Sequence, residues 1–371
     1  MTSLTMASKV VMWSPGNLAE LVVWFAWLLY SECVAVFQRR RPIEERVPAW
    51  LAASDGEPRP AVLVTGAGSG IGRAVAIQLA RMGAGAVVIA CRTLTEARVV
   101  ADGIRPLVPR RRPVVLKPVG VDLRDPAQIA SMCEYVRGDE DIRVKLVVHC
   151  AGVFCATWRR TEWGEEETAA VNALAGPRIL RGLGAKGIRF VAVGSFTHRA
   201  TSSARLKRWP AAVVGQPPLT PAGAYSCPKT HRATSSARHK RWPAAAVGKP
   251  PLTPAGAYSC SKAAVAVYVA WARRRWGGDG FTACVADPGL VDTDINREWP
   301  PALRGLYVTV ARITGLLTAP STGAKAVLHA CFDEGAMYVY GARGARIQPA
   351  AVKPAVLCEE VFDFLENRTY S

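Results

Sequence analysis

The chain has 371 residues, half of them hydrophobic and 20% charged, with a formal net charge of +18. This length and composition predict one large α/β domain with a substantial core; two packed domains stay open, although no shift in composition marks a boundary. Eleven of the basic residues lie in two repeats that contain no acidic residue, and the arginine runs at 39–41 and 110–112 lack interleaved aromatic residues. The positive charge therefore favours a basic face on a membrane-associated protein over nucleic-acid binding. Ten cysteines without a C-x-x-C pair argue against a disulfide framework and a metal site, and favour a reducing compartment.

The first predicted element is a hydrophobic helix from Leu21 to Phe37, followed by three arginines at 39–41. Its length of about 25 Å is slightly short of the ~30 Å hydrocarbon core of a bilayer, and Glu32 weakens a spanning assignment. We predict that this segment is a transmembrane helix that anchors the protein in a membrane. The alternatives are a helix that lies in the membrane interface and a buried or disordered extension. The arginines would keep the following domain on the cytosolic side. Residues 1–42 are therefore predicted to be an anchor segment and residues 43–59 a linker.

A short apolar strand over residues 60–65 leads directly into a glycine-rich turn and then into a helical pattern. Glycines at 66, 70 and 72 let the chain turn tightly, so that backbone N–H groups approach a pyrophosphate at the helix N-terminus. A glycine motif alone is a weak signal. The strand before it and the helix after it make it a strong indication of dinucleotide binding.

Three further predicted strands follow at regular spacing. The strand over residues 86–91 ends at Arg92, and a basic residue there favours NADP(H) over NAD(H), although a merely solvated arginine is the alternative. The next strand ends at Asp122 and Leu123, on the adenine side. A fourth ends at Ala151 and Gly152, which are small where a cofactor must pass. Strands alternating with helices predict a doubly wound parallel sheet with right-handed crossovers.

Residues 198–230 and 231–263 form a tandem repeat that differs at only five of 33 positions. Each unit ends in Tyr-x-x-x-Lys, which places a phenol and an ammonium one helical turn apart. Tyr258 and Lys262 open a good helical pattern, whereas Pro228 follows Tyr225 and a poor helical sequence comes after it. We therefore predict that the second pair is functional. The first unit would be an insertion beside the substrate entrance or an error in the gene model.

The following motifs occur in this order along the chain: Thr65-Gly66-x-x-x-Gly70-Ile71-Gly72, Asp122-Leu123, Cys150-Ala151-Gly152, Val171-Asn172, Gly194-Ser195, Tyr258-x-x-x-Lys262 and Pro288-Gly289-x-x-x-Thr293. Together they resemble the short-chain dehydrogenase/reductase family over roughly residues 58–345. Within that family the chain is most similar to the membrane-associated branch near the retinol dehydrogenases, and in particular to plant FOREVER YOUNG-type oxidoreductases. The resemblance implies a Rossmann-type doubly wound α/β fold in one domain, residues 60–345. The hydrophobic N-terminal helix precedes this domain, the duplicated 33-residue insertion lies within it, and a C-terminal tail (346–371) follows it.

A free tyrosine, with a pKa near 10, is a poor acid–base catalyst at neutral pH. The neighbouring Lys262 and a positive nicotinamide ring would lower the pKa of Tyr258, so that it exchanges a proton with the substrate oxygen. The resemblance further implies that Ser195 binds that oxygen, that Lys262 binds the nicotinamide ribose and that Asn172 holds a proton-relaying water. The predicted cofactor-binding residues are Thr65, Gly66, Gly70, Ile71, Gly72, Arg92, Asp122, Leu123, Ala151, Gly152, Tyr258, Lys262, Pro288, Gly289, Val291 and Thr293.

The predicted function is an NADP(H)-dependent oxidoreductase that interconverts a carbonyl and an alcohol on an apolar, retinoid-, steroid- or lipid-like substrate. Residues 299–317 are expected to form a substrate lid, and a homodimer is possible. The alternative is a catalytically silent cofactor-binding scaffold or regulatory protein. It draws support from the repeat and from Cys150, which stands where the family usually has asparagine. Nucleic-acid binding through the basic repeats is a third possibility.

Overall fold

The computed structural model describes residues 15–36, 42, 45–52, 58–108, 110, 113–214, 252–346 and 359–369. Across these residues, eight strands form a single sheet in the order β3-β2-β1-β4-β5-β6-β7-β8. All neighbours pair in parallel except β7 and β8, which are antiparallel. The strands are β1 (Arg59–Thr65), β2 (Ala86–Cys91), β3 (Val115–Gly120), β4 (Ile142–His149), β5 (Arg189–Val193), β6 (Thr282–Asp287), β7 (Tyr338–Tyr340) and β8 (Ala345–Arg346).

Helices connect the strands and cover both faces of the sheet. The helix before β5 begins with the short turn Glu167–Ala169 and the π-helical turn Ala170–Leu174. The α-helices are α1 (Pro15–Val36), α2 (Gly70–Arg81), α3 (Leu94–Ile104), α4 (Pro126–Arg137), α5 (Ala175–Leu183), α6 (Ser203–Val214), α7 (Pro254–Trp276), α8 (Pro301–Ile313), α9 (Pro320–Phe332) and α10 (Glu359–Thr369). This arrangement confirms the predicted Rossmann-type, doubly wound parallel sheet.

The central strand β1 shows how the sheet builds two core layers. Its side chains alternate between faces, as they must in a strand. Ala61 and Leu63 pack into one buried cluster, while Val62 and Val64 pack into the other. The four residues 61–64 are all hydrophobic and buried because neither face of the strand meets water there, which is typical of a parallel sheet.

The strand order reverses between β1 and β4, and this reversal positions the site. From β1 the chain proceeds outward to β2 and β3, and then returns to β4 on the other side of β1. The loops that leave the carboxyl ends of β1 and β4 therefore run in opposite directions. In open α/β sheets this divergence opens the crevice where ligands bind.

The segment predicted to be a transmembrane anchor corresponds to helix α1. Over the described ranges, no helix is both long enough and apolar enough to cross a membrane. Helix α1 instead packs on the domain and buries Trp24 and Leu28. The carboxylate of Glu32, costly in a bilayer, accepts a hydrogen bond from the Tyr340 hydroxyl at 2.7 Å. The segment thus uses one face as a protein contact, which hydropathy alone does not distinguish from a lipid contact.

The tandem repeat is described only in part. Residues 198–214 of the first unit and 252–263 of the second are described, and they form the segment with α6 and the start of α7. Tyr225, Pro228 and Lys229 of the first unit lie outside the described residues. The domain boundaries at 43–59 and 346–371 also fall partly outside, and they stay predictions.

Candidate active site

A cleft of about 700 Å³ opens at the carboxyl ends of the central strands. Most of the predicted site residues line it, although they come from distant parts of the chain. Thr65 and Asn172 are the exceptions, and both are buried behind its wall. The predicted residues that line the cleft are Gly66, Gly70, Ile71, Gly72, Arg92, Asp122, Leu123, Ala151, Gly152, Ser195, Tyr258, Lys262, Pro288, Gly289, Val291 and Thr293.

The glycine-rich turn between β1 and α2 requires glycine at its first position. Gly66 has a φ of +64°, and a Cβ there would lie 2.7 Å from the Cα of Ala151. Both the backbone conformation and the contact exclude a side chain. The turn is therefore pressed against the loop that leaves β4, and backbone atoms form the floor of the cleft.

The N-terminus of α2 has the features of an anion site. Ser69, its N-cap, makes no side-chain hydrogen bond to the first turn. By contrast, Thr93, Asp125 and Thr253 do cap α3, α4 and α7 with their side chains. The first N–H groups of α2 therefore face the cleft without a side-chain acceptor, and the helix dipole favours negative charge there. This end of the cleft fits the pyrophosphate of a dinucleotide.

Thr65 ties the two central strands together rather than lining the cleft. Its hydroxyl lies 2.9 Å from Nδ1 of His149, whose Nε2 lies 3.1 Å from the Val171 carbonyl oxygen. Since a carbonyl only accepts, Nε2 carries the proton and Nδ1 accepts from Thr65. Burial lowers the pKa of His149 to about 4, which keeps the ring neutral. The N–H of Ala151, the residue after Cys150, also donates a hydrogen bond to the Thr65 hydroxyl at 3.3 Å.

The end of the cleft beside β2 and β3 carries charges of both signs. Arg92 is exposed at the end of β2, and Glu96 lines the same region from α3. Asp122 forms an ion pair with Arg124 at 2.6 Å, and their hydrogen bond lowers the pKa of the Asp122 carboxyl. Sequence reasoning missed Arg124, although its position two residues after Asp122 was a usable signal.

Tyr258 and Lys262 lie on the first turns of α7, and Ser195 follows the end of β5. The Ser195 hydroxyl accepts hydrogen bonds from the backbone N–H and the hydroxyl of Thr197, at 3.3 and 3.0 Å, and it lies close enough to the phenol of Tyr258 to affect the pKa of that phenol. Lys262 is buried, and its ammonium donates to the Val193 carbonyl at 2.9 Å. The three groups that were predicted to perform proton transfer therefore meet in one place, although Tyr258 and Ser195 are 63 positions apart.

Burial dominates the protonation of this group. Burial raises the pKa of the Tyr258 phenol, the negative charge of Asp287 raises it further, and the nearby Ser195 hydroxyl opposes the rise. Burial lowers the pKa of the Lys262 ammonium to about 8, against the opposing effect of Asp287. The Lys262 Nζ lies 5.7 Å from the centre of the Tyr258 ring. The structure thus raises the pKa of Tyr258, opposite to the predicted lowering, and Lys262 does not offset the rise; a lowered pKa would need the positive charge of the nicotinamide.

Asn172 makes a different set of contacts from the predicted water relay. It lies in the π-helical turn, where its Oδ1 accepts from the Val153 N–H at 2.8 Å. Its Nδ2 donates to the Val153 carbonyl at 3.0 Å and to the Ser261 hydroxyl at 3.1 Å. Asn172 thus fixes the loop after β4 against the catalytic helix α7. The water relay stays a prediction.

An aromatic wall surrounds the phenol of Tyr258 on the substrate side. Phe154 lies 5.0 Å from Tyr258 and 5.3 Å from Trp299 between ring centroids, and Tyr307 continues the row at 5.1 Å from Trp299. Trp299 and Tyr307 belong to the segment 299–317 that was expected to be a lid. Phe154 was missed, and so was Trp24 of α1, which also lines the cleft.

Comparison with known proteins agrees with this geometry. The sequence profile described as short chain dehydrogenase matches residues 60–175, which include the glycine-rich turn and Asn172. The chain is 38% identical to retinol dehydrogenase 13 of Mus musculus over 122 residues, or 32% of this chain and 34% of that protein. Over these residues the chain is similar to the short-chain dehydrogenase/reductase family. Retinol dehydrogenases 12 and 14 of Mus musculus match over similar lengths, at 33% and 32% identity.

Matches to other members of the family extend further along the chain. Polyprenol dehydrogenase of Mus musculus is 29% identical over 289 residues, which cover 74% of this chain and 72% of that protein. A short-chain type dehydrogenase/reductase from Mycobacterium ulcerans has the same fold at 20% identity, with a TM-score of 0.51 over 84% of this chain and 99% of that one. The chain spans only about a third of the length of the retinol dehydrogenases that it matches. The likeness to FOREVER YOUNG-type oxidoreductases stays a prediction.

Proposed function

We propose that this protein is an NADP(H)-dependent oxidoreductase that interconverts a carbonyl and an alcohol on an apolar substrate. The observation that carries the proposal is the meeting of Tyr258, Ser195 and Lys262 in a cleft that also contains an uncapped glycine-rich helix N-terminus. The first three groups suit proton transfer to or from an oxygen, and the helix end suits a pyrophosphate.

Different parts of the cleft would bind the cofactor and the substrate. The turn at Gly66 and the first N–H groups of α2 would bind the pyrophosphate, while Pro288, Gly289, Val291 and Thr293 would line the nicotinamide end. When bound, the nicotinamide accepts or supplies the hydride. Tyr258 would exchange the proton with the substrate oxygen, which the Ser195 hydroxyl would hold by a hydrogen bond. The ammonium of Lys262 would supply positive charge beside the phenol.

The preference for NADP(H) rests on Arg92. It is exposed at the end of β2 and lines the cleft, and a basic side chain there suits a 2′-phosphate. Glu96 lines the same region and opposes the preference. Asp122 forms an ion pair with Arg124, so its carboxylate would repel the 2′-phosphate of NADP(H) less strongly.

The aromatic wall supports an apolar substrate. Phe154 and Trp299 are buried, and together with Tyr258 they present ring faces and edges to the inner part of the cleft. Such a surface excludes water and binds hydrophobic groups. The named substrates of the relatives, retinol and polyprenol, are also apolar alcohols.

We further propose association with a membrane surface, with the catalytic domain on the cytosolic side. Hydrophobic side chains of α1 and α8 point outward near the substrate end of the cleft, among them Leu29 (42% exposed) and Ile313 (81% exposed). Contiguous exposed hydrophobic side chains are typical of interaction sites. We also propose a homodimer, which the resemblance to the family implies.

The decisive experiment measures NADPH oxidation by the full chain with a panel of apolar aldehydes and ketones. Tyr258→Phe should lower kcat by roughly 10²–10⁴-fold, because it removes the proton donor while the ring stays in place. Tyr225→Phe, the same change in the other repeat unit, is the matched control and should keep wild-type turnover. A folded wild-type chain that binds NADPH but turns over none of the panel would support the silent scaffold instead.

A further inference from the structure

Helix α1 lies outside the Rossmann sheet, yet it contributes a side chain to the active-site cleft. Trp24 is only 6% exposed and lines the cleft together with Tyr258. Its ring lies 5.7 Å from the ring of Tyr258 and 5.7 Å from that of Phe154. The indole therefore completes the aromatic wall from a position more than two hundred residues away along the chain.

The position of Trp24 is specified by polar as well as hydrophobic contacts. Its indole N–H donates to the hydroxyl of Ser259 at 3.0 Å, in a buried setting. Ser259 directly follows Tyr258 on α7. A buried indole N–H needs an acceptor, so this bond fixes the ring orientation relative to the catalytic helix.

Helix α1 is held along its length by further bonds to the domain. Glu20, one turn before Trp24, pairs with Arg205 at 3.0 Å and accepts from the Thr253 hydroxyl at 3.1 Å. Towards the other end, Ser31 accepts from Arg199 at 2.7 Å. Glu32 accepts from Tyr340, as described above. Contacts on both sides of Trp24 orient the helix and prevent it from rolling away from the cleft.

The neighbouring Phe25 shows that this orientation is selective. It is an aromatic residue on the same turn of α1, but it is 37% exposed and does not line the cleft. Generic hydrophobic packing of α1 would not require the larger and more polar indole to point inward. Phe25 is consequently a matched control for Trp24.

We propose that α1 forms part of the substrate pocket and that Trp24 is a specificity-determining residue, which selects substrates with a flat hydrophobic body. This inference rests on the proposed oxidoreductase function. The indole would contact the hydrophobic body of the substrate, while Tyr258 and Ser195 would form hydrogen bonds with the substrate oxygen. A small alcohol reaches the two hydroxyls without touching Trp24, so only substrates with a larger body should depend on it.

The test compares kcat/KM for 2-naphthalenemethanol and for 2-propanol, with NADP⁺ and the full chain. The ratio of the two values is independent of the fraction of enzyme that is folded. In Trp24→Ala the ratio should fall about tenfold, the size expected for the loss of one or two aromatic contacts. Trp24→Phe, which keeps a ring, and Phe25→Ala should change the ratio by less than about twofold. An unchanged ratio in Trp24→Ala, or an equal fall in Phe25→Ala, would overturn the proposal.

A binding measurement separates this proposal from the proposed function. If the wild-type chain turns over neither alcohol, calorimetric titration with 2-naphthalenemethanol in the presence of NADP⁺ still tests the pocket. Weaker binding by Trp24→Ala, by about tenfold, with unchanged binding by Phe25→Ala would uphold the role of Trp24 in a silent protein. Absence of binding to the wild type, or equal binding by all variants, would refute it.

Discussion

The cofactor side and the substrate side of the cleft are built in different ways. The cofactor side is centred on one short stretch, the turn from Gly66 to Gly72 between β1 and α2, and it presents mainly backbone atoms. The substrate side is a set of aromatic rings from four separate segments, represented by Trp24, Phe154, Tyr258 and Trp299. The first is specified locally, whereas the second exists only after the chain has folded.

This difference predicts how each side responds to change. A backbone surface tolerates no side chain where the chain passes close to another loop, so a single added methyl group is damaging. A wall of rings should lose only the contacts that the altered ring makes. Substitutions on the cofactor side should therefore impair folding and all substrates together, while those on the substrate side should alter selectivity.

The largest effect is expected from Gly66→Ala. The new Cβ would lie 2.7 Å from the Cα of Ala151 at a φ of +64°, so the β1 and β4 loops must separate. We expect a loss of roughly 2–4 kcal/mol in the free energy of unfolding, measured by denaturant titration, together with loss of NADPH binding. Gly280→Ala is the control, since Gly280 has a φ of +74° but its added Cβ would meet its nearest neighbour at an ordinary 3.7 Å. It should cost only about 1–2 kcal/mol; equal losses would mean that the close approach is unimportant.

A smaller and more selective effect is expected from Arg92→Ala. Removal of this exposed guanidinium should lower the preference for NADPH over NADH, as the ratio of kcat/KM values, by about tenfold without changing thermal stability. Arg98→Ala, at an exposed position of α3 that does not line the cleft, should leave the ratio unchanged. An unchanged ratio in Arg92→Ala would remove the basis for assigning NADP(H).

The smallest effect is expected from deletion of residues 215–247, which removes 33 residues and restores a single repeat unit. Every described residue is retained, because Val214 is then followed by residues 248–251 and Leu252. Shortening the connection should change the free energy of unfolding by no more than about 2 kcal/mol, in the stabilising direction. The measurement is denaturant unfolding alongside turnover, with the full-length chain as reference. Loss of folding would show that both units are needed to connect α6 to α7; a gain of turnover would make the extra unit inhibitory.

The sequence predicted local geometry well where the residues concerned lie within a few consecutive positions, although the chemical roles of those residues stay predictions. The glycine-rich turn after β1 and the Tyr-x-x-x-Lys spacing on α7 could be recognised because the strand or helix itself sets the relative position of those residues. The strand–helix alternation similarly predicted the confirmed sheet. The sequence did not predict the hydrogen bonds between Asn172 and Val153, because no local pattern in either segment indicates that the two meet in the fold.

The sequence by itself determined the fold family, the end of the sheet that carries the cleft and the residue types available for proton transfer. Only the tertiary structure decided that α1 packs beside Tyr258, and that Trp24 rather than Phe25 faces the cleft. The physical reason is that hydropathy measures the tendency of a segment to leave water, and a bilayer and an aromatic protein surface satisfy that tendency equally. Which one a helix meets depends on polar partners such as Arg205, Arg199 and Tyr340, whose positions are set by the rest of the fold.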